Sequence, residues 1–173
     1  MAVKITADGI KYTSTGTPAA VTGAGNIESF SKVYNAVWND YVDAIPVDND
    51  VEIVPGYCYS FDGKEYHKSD NYMDRGFIGI ESDTYGQLIG YRDQKQLHIP
   101  VAGFVLAYVD KEYPVGTALT CTEDGILTKI EDADKRDNPE MVLATYWKKE
   151  EKTEIGDGTK FVQVNGRTWV KVK

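Results

Sequence analysis

Three dipeptides constrain this chain more than any other feature. Asp62-Gly63, Asp124-Gly125 and Asn165-Gly166 each stand between two short runs of β-branched and aromatic residues. Such pairs accept the positive φ angles of a tight hairpin turn, so each one marks two antiparallel strands joined directly. The first joins Tyr57–Phe61 to Lys64–Lys68, the second Ala118–Thr122 to Ile126–Ile130, and the third Lys160–Val164 to Arg167–Val172.

The intervening chain reads the same way. A turn at Pro46 and Asp48, Asn49, Asp50 precedes Val51–Val54, and Pro55-Gly56 turns the chain again. Gly76–Ser82 is an apolar run with glycines, the pattern of a strand closely approached by another backbone. Tyr85–Tyr91 and Met141–Trp147 are further strands. The most apolar stretch is QLHIPVAGFVLAYV, residues 96–109, where Pro100 and Gly103 exclude one helix and predict two strands or one bent strand at the core. Ser69–Arg75, residues 131–140 and Lys148–Thr159 are polar or charged and read as loops. The expected fold is all-β, a compact barrel or sandwich of short antiparallel strands. Pro55–Ser82 and Val115–Trp147 share one order: turn, cysteine-bearing strand, Asp-Gly, strand, polar loop, strand. A duplicated β unit explains this, and so does the general likeness of short meanders.

The first 30 residues differ in kind. AVKITADGIKYT alternates around Asp8-Gly9, as a hairpin or a strand broken by a turn. Residues 14–26 are almost wholly Gly, Ala, Ser and Thr, too poor in bulk to fold alone. Residues 1–30 therefore read as an extended arm or linker, and residues 31–173 as the β domain. The junction, SKVYNAVWNDY, carries Tyr34, Trp38 and Tyr41 at helical spacing. Its β-branched and aromatic content favours a strand or short turn entering the domain.

A net charge of -8 disfavours nucleic acid and anionic membranes as partners. No apolar leader core opens the chain, and no run approaches about 18 apolar residues, so a soluble protein made in a cytoplasm is expected. Cys58 and Cys121 read as two buried thiols, with a disulfide as the alternative. Zinc binding by these thiols lacks histidines at ligand spacing, and no metal or cofactor is expected.

Catalytic signals are sparse. No GxSxG, HExxH, P-loop or EF-hand pattern occurs, and Asp48, Asn49, Asp50 lack the rest of a calcium loop. His67 and His98 sit among β-type residues and read as strand positions. Ser82 beside Asp83 is the best nucleophile candidate, followed by Ser29 and Ser31; serine and aspartate also make turns. Paired carboxylates for glycan hydrolysis, Glu81 with Asp83 or Glu52 with Asp62, arise readily among 27 acidic residues. Twelve tyrosines and three tryptophans point either to a ring-rich core or to a binding surface. Tyr57, Tyr59 and Phe61 alternate and would share one strand face.

With these pieces in place, the chain resembles a family. VYNAVWNDY, PGYCYSFDG, GFIGIESDTYG, VAGFVLAYV and VNGRTWVKV, in that order, are similar to the β domains at the C-termini of phage and prophage fibre proteins. They are similar in particular to the autoproteolytic intramolecular-chaperone domains that end some tailspikes. ITADGIKYT is similar to the thin-strand start of phage fibres. The resemblance spans residues 30–173 and implies a virion structural protein, head or tail fibre or decoration, made in a host bacterial cytoplasm and commonly trimeric. No cleavage residue maps from the family, and no long shaft precedes the domain.

The expected function is to bind other virion subunits. The arm would pair with neighbours by strand addition or packing, through Ile5, Ile10, Tyr12, Val21, Tyr34 and Trp38. The alternatives are a self-cleaving chaperone that assembles a trimeric fibre and a host-surface glycan or protein binder.

Overall fold

The computed structural model describes residues 3–6, 9–12, 40–90, 94–156 and 161–173, without the side chains of the first two segments or of Gln87. The chain divides into two units, Met1–Tyr34 and Asn35–Lys173. In the first, β1 (Val3–Thr6) pairs antiparallel with β2 (Gly9–Tyr12), with Ile5 opposite Ile10 and Tyr12 opposite Val3. Thr6 faces Gly9, so Gly9 opens the return strand.

The second unit is an all-β sandwich. Its strands are β3 (Asp40–Pro46), β4 (Cys58–Phe61), β5 (Tyr66–Lys68), β6 (Phe77–Ile80), β7 (Tyr85–Ile89), β8 (Gln96–Ala107), β9 (Ala118–Cys121), β10 (Leu127–Lys129), β11 (Ala144–Lys149), β12 (Glu154–Gly156), β13 (Phe161–Gln163) and β14 (Thr168–Val172). Seven form one sheet in the order β10-β9-β11-β14-β8-β3-β7. The order β5-β4-β6 makes a second sheet, and β12 pairs with β13. Among the described residues no sheet closes on itself, so the architecture is a sandwich and not a barrel.

β8 is the spine, a single strand of 12 residues. Gln96–Gly103 pairs with β3 and Phe104–Ala107 with β14. The ladder to β3 shifts between Tyr41 and Val42, opposite Ala102 and Pro100, so Val101 is an extra residue. Pro100 offers no N–H to a ladder, and a bulge beside it is the expected accommodation. Gly103, at φ 117, stands two residues after Val101. The strand is thus continuous and irregular where the sequence carries its two breakers.

Among the named strands of the described residues, one pair departs from the antiparallel pattern. β3 and β7 run parallel, with Val42 level with Leu88. Parallel neighbours require a crossover. Here the small sheet supplies it, because β4, β5 and β6 lie between β3 and β7 in the chain.

The two layers meet over a core of Cys58 and Ile80 from the small sheet with Val105, Ala107, Leu119, Cys121, Leu127, Ala144, Tyr146 and Val170 from the large one. Tyr59 packs with Leu97 and Ile99 in a second cluster. Its hydroxyl donates to the Glu52 carbonyl at 2.8 Å and accepts from the Val54 N–H at 2.8 Å. Burial pushes its ionisation up to about 12. Leu106, between Val105 and Ala107, belongs instead to a third cluster with Val162, Val164 and Trp169. Alternation along β8 therefore fills both faces of the sheet, each fully buried aliphatic side chain contributing about 1.5–3 kcal/mol.

Several sequence expectations need correction. Val51–Val54 is irregular, its polar backbone tied to the Tyr59 hydroxyl. The charged segment 131–140 contains a helix, α1 (Asp132–Asp137), with Asp132 and Asp134 in its first turn and Lys135 and Arg136 in its last. That distribution complements the helix dipole. Lys148–Thr159 contains β12. At the closing hairpin, Asn165 and Gly166 do take φ 51 and 78, and the Arg167 N–H reaches the Val164 carbonyl at 2.9 Å. The flanking strands part company, however: β13 pairs with β12, and β14 with β11 and β8.

The two cysteine-bearing segments share strand order, β5-β4-β6 and β10-β9-β11. The Gly56 N–H donates to the Glu81 carbonyl at 2.8 Å, and the Gly116 N–H to the Tyr146 carbonyl at 2.8 Å. Matching Gly56 with Gly116 sets Cys58 level with Ala118 and Cys121 level with Phe61. The cysteines are therefore not equivalent positions. Both are buried and free.

Candidate functional site

The residues from Glu81 to Thr84, after β6, carry the densest buried polar network described. Glu81, Ser82 and Thr84 are buried, although they are polar. Each has a hydrogen-bond partner, as buried polar groups must: Glu81 and Ser82 find theirs far away in the chain, and Thr84 bonds to Ser82.

Ser82 Oγ donates to Asp40 Oδ2 at 2.5 Å. It also accepts from the Thr84 N–H at 3.1 Å and lies 3.1 Å from Thr84 Oγ1. With the Ser82 proton aimed at the carboxylate, the Thr84 hydroxyl is the donor in that last contact. Asp40 opens β3 and is itself buried. A carboxylate this close is placed to take the serine proton. The hydroxyl is fully covered, so it is closed to substrates from outside and faces only its own chain.

Asp83, the expected partner of Ser82, points elsewhere. Its two oxygens accept from Arg167 Nη1 at 2.8 Å and Nη2 at 2.9 Å. The Arg167 side chain crosses Gly56, where a Cβ would lie 2.4 Å from its Cδ. The pairing of Glu81 with Asp83 for glycan hydrolysis also resolves into separate partners. Glu81 accepts from the His98 N–H at 2.6 Å through Oε2, and its Oε1 lies 3.0 Å from His98 Nδ1. Burial pushes the Glu81 carboxyl above its ordinary range, and the His98 contacts pull it part of the way back. Asp62 serves its own loop: Oδ1 accepts from the Lys64 and Glu65 N–H groups, which hold its carboxyl below the usual range.

His67 and His98 stand on β5 and β8, strand positions as expected. Of the three alternating rings, Tyr59 is core, Tyr57 lies 4.8 Å from the Tyr108 ring, and Phe61 is 37% exposed against Tyr66. Trp147, on the large sheet, is 44% exposed beside Phe104, and both line a cleft of about 350 Å³ with Lys148, Glu150 and Trp169. Of the candidate partner-binding residues, Ile5, Ile10 and Tyr12 lie on the β1–β2 hairpin. Val21, Tyr34 and Trp38 lie outside the described residues, as do Ser29 and Ser31.

Sequence reasoning missed Asp40 and Arg167. Asp40 lay in an aromatic stretch read for its rings, and Arg167 followed a turn read for its backbone. Neither has a local signal, because each acts on a residue more than 40 positions away. No helix among the described residues is long and apolar enough to cross a membrane.

No family model matches the chain, and no curated protein matches it. Among solved structures, the chain is similar to the pre-mature bacteriophage phi29 gene product 12. The likeness has a TM-score of 0.51 at 14% identity over 87% of this chain. It takes in 23% of the phage protein, so the chain spans about a quarter of that neighbour's length. At this identity the likeness is one of fold.

Proposed function

We propose that the chain is a structural component of a bacteriophage particle, related to fibre proteins, that binds other virion subunits. The observation that carries this reading is the shared fold with a phage gene product over 87% of the chain. The order of β motifs from VYNAVWNDY to VNGRTWVKV supports it independently. The small-residue segment 14–26 supports an arm that orders on a neighbour, since such segments gain structure by binding. Ile5 stands opposite Ile10 in the β1–β2 register of that arm. The assembly is a trimer, and the particle is the place of action.

Light scattering on the purified full chain tests the assembly. A mass near three times 19.3 kDa is expected. A monomer that persists at high concentration with residues 1–30 intact would count against it, as would absence of the protein from purified particles.

The hydrogen bond of 2.5 Å from Ser82 to Asp40 favours a second reading, a self-cleaving chaperone. Asp40 would take the Ser82 proton while Oγ attacks a carbonyl of the same chain; the peptide C–N bond then breaks, the released amine takes that proton, and water hydrolyses the ester that remains. Intact-mass measurement decides: a fragment that Ser82→Ala abolishes supports cleavage, and a full-length mass after long incubation rejects it.

A further inference from the structure

We propose that His67, Asp70 and Asp74 form a binding site for a divalent first-row transition cation, with Zn²⁺ the natural probe. The three side chains bring ligand atoms within 4.8 Å of one another. They come from the end of β5 and the loop that follows it. His67 Nε2 is 3.8 Å from Asp70 Oδ1. Two ligands on one tetrahedral zinc stand about 3.4 Å apart, given bond lengths near 2.1 Å. Small rotations of His67 and Asp70 close that gap. Both are free to make them, because their side chains are 31% and 66% exposed.

Asp74 is the fixed member. Its Oδ1 accepts from the Gly76 N–H at 2.8 Å, and its own N–H points at Cys121 Sγ at 3.2 Å. Gly76 is pressed against the Phe61 carbonyl, where a Cβ would stand 2.6 Å away. The second oxygen, Oδ2, is buried and has no hydrogen-bond partner among the described residues. A buried carboxylate oxygen without a donor is unusual in a folded protein, and a bound cation is one of the few things that satisfies it. That orphaned oxygen is an observation independent of the clustering.

Nearby cations are engaged elsewhere. Lys68 Nζ stands over the Tyr57 ring at 4.6 Å. Arg75 reaches Asn138 Oδ1 at 3.0 Å and Glu140 at 3.8 Å. Asp70 Oδ1, the oxygen 3.8 Å from His67 Nε2, also accepts from the exposed Asn71 Nδ2 at 2.6 Å, a contact a bound metal would displace or share. The cluster borders a cleft of about 710 Å³, so an ion can enter and keep water at its remaining positions. One imidazole with two carboxylates suits zinc, manganese or iron and disfavours calcium and magnesium, which prefer oxygen alone. A bound ion would tie the Ser69–Arg75 loop to β5.

The test is calorimetric titration of the EDTA-treated full chain with Zn²⁺. One ion per chain is expected, with Mg²⁺ and Ca²⁺ much weaker. His67→Ala, at a half-buried strand position, and Asp70→Asn, at an exposed one, should keep the wild-type circular dichroism spectrum. Each should weaken zinc roughly tenfold or more, since even outer-shell partners tune metal affinity on that scale. No zinc binding up to about 1 mM, far weaker than protein zinc sites, overturns the proposal. So does wild-type affinity in the double variant, which would place the ion elsewhere, or a preference for Ca²⁺ over Zn²⁺.

Discussion

Arg167 holds Asp83 with two parallel hydrogen bonds, Nη1 to Oδ1 at 2.8 Å and Nη2 to Oδ2 at 2.9 Å, across 84 residues of chain. The guanidinium is almost wholly buried, and its other contacts are to the Val164 carbonyl at 3.1 Å and the Gln163 carbonyl at 2.5 Å. The clamp joins the turn before β14 to the loop after β6, and so ties the end of the large sheet to the small one.

Removing one partner leaves the other charge unmatched. Asp83→Ala should therefore lower unfolding stability by about 3 kcal/mol, the low end for a buried pair because Asp83 is 27% exposed. Asp83→Ala combined with Arg167→Met should recover part of that loss, since no buried charge then remains. Urea unfolding of the two variants measures both; an unchanged midpoint in Asp83→Ala would show the clamp to be idle.

Gly56 and Gly63 share a similar φ, 91 and 95, but not a similar environment. At Gly56 a Cβ meets Arg167 Cδ at 2.4 Å, and at Gly63 it meets nothing within 4 Å. Gly63→Ala should cost about 1–2 kcal/mol, the left-handed penalty alone. Gly56→Ala should cost a further 1–3 kcal/mol or so for overpacking against the clamp. Equal thermal midpoints for the two variants would contradict this.

Glu81 makes stability depend on pH in an unusual direction for a carboxylate. Its folded value is raised above 4.5, chiefly by burial, so the folded chain binds that proton more tightly than the unfolded one. The resulting stabilisation is fully present below 4.5 and is lost as pH rises through the raised folded value. Glu81→Gln keeps an acceptor for the His98 N–H and cannot ionise. The wild type should lose stability relative to this variant across that window, and denaturant titrations at several pH values would show it. Parallel curves would mean that Glu81 titrates normally.

Cys58 and Cys121 sit in the main core, and burial pushes both thiols above their ordinary range. The thiolate is the reactive form, so neither should react with a thiol reagent in the native chain. Both should react at once in strong denaturant. Rapid labelling of a folded sample would place one of them at the surface.

Much of the fold is local chemistry and was legible as such. The Asp62-Gly63 and Asp124-Gly125 turns join β4 to β5 and β9 to β10, where they were expected. Gly76 meets the Phe61 backbone, as its place in an apolar run suggested. The spine β8 lies in the most apolar stretch, as one strand whose register shifts beside Pro100. The helix α1 was missed because five charged residues and one alanine carry no apolar periodicity, and its end charges alone are a weak sign. Within the candidate site, Ser82 was legible as a hydroxyl beside an acid; its partner was not.

The sequence by itself determined where the chain turns and which runs are strands, because turn φ angles and side-chain alternation are properties of a few adjacent residues. Only the tertiary structure decided which strands are neighbours. Asn165-Gly166 makes its turn, yet β13 and β14 belong to different sheets, although Val162 and Trp169 are buried in one cluster. The same packing runs β3 parallel to β7 and delivers Asp40 to Ser82 and Arg167 to Asp83. A buried polar group must be satisfied wherever the fold sets it down, and nothing next to it in the chain records by whom.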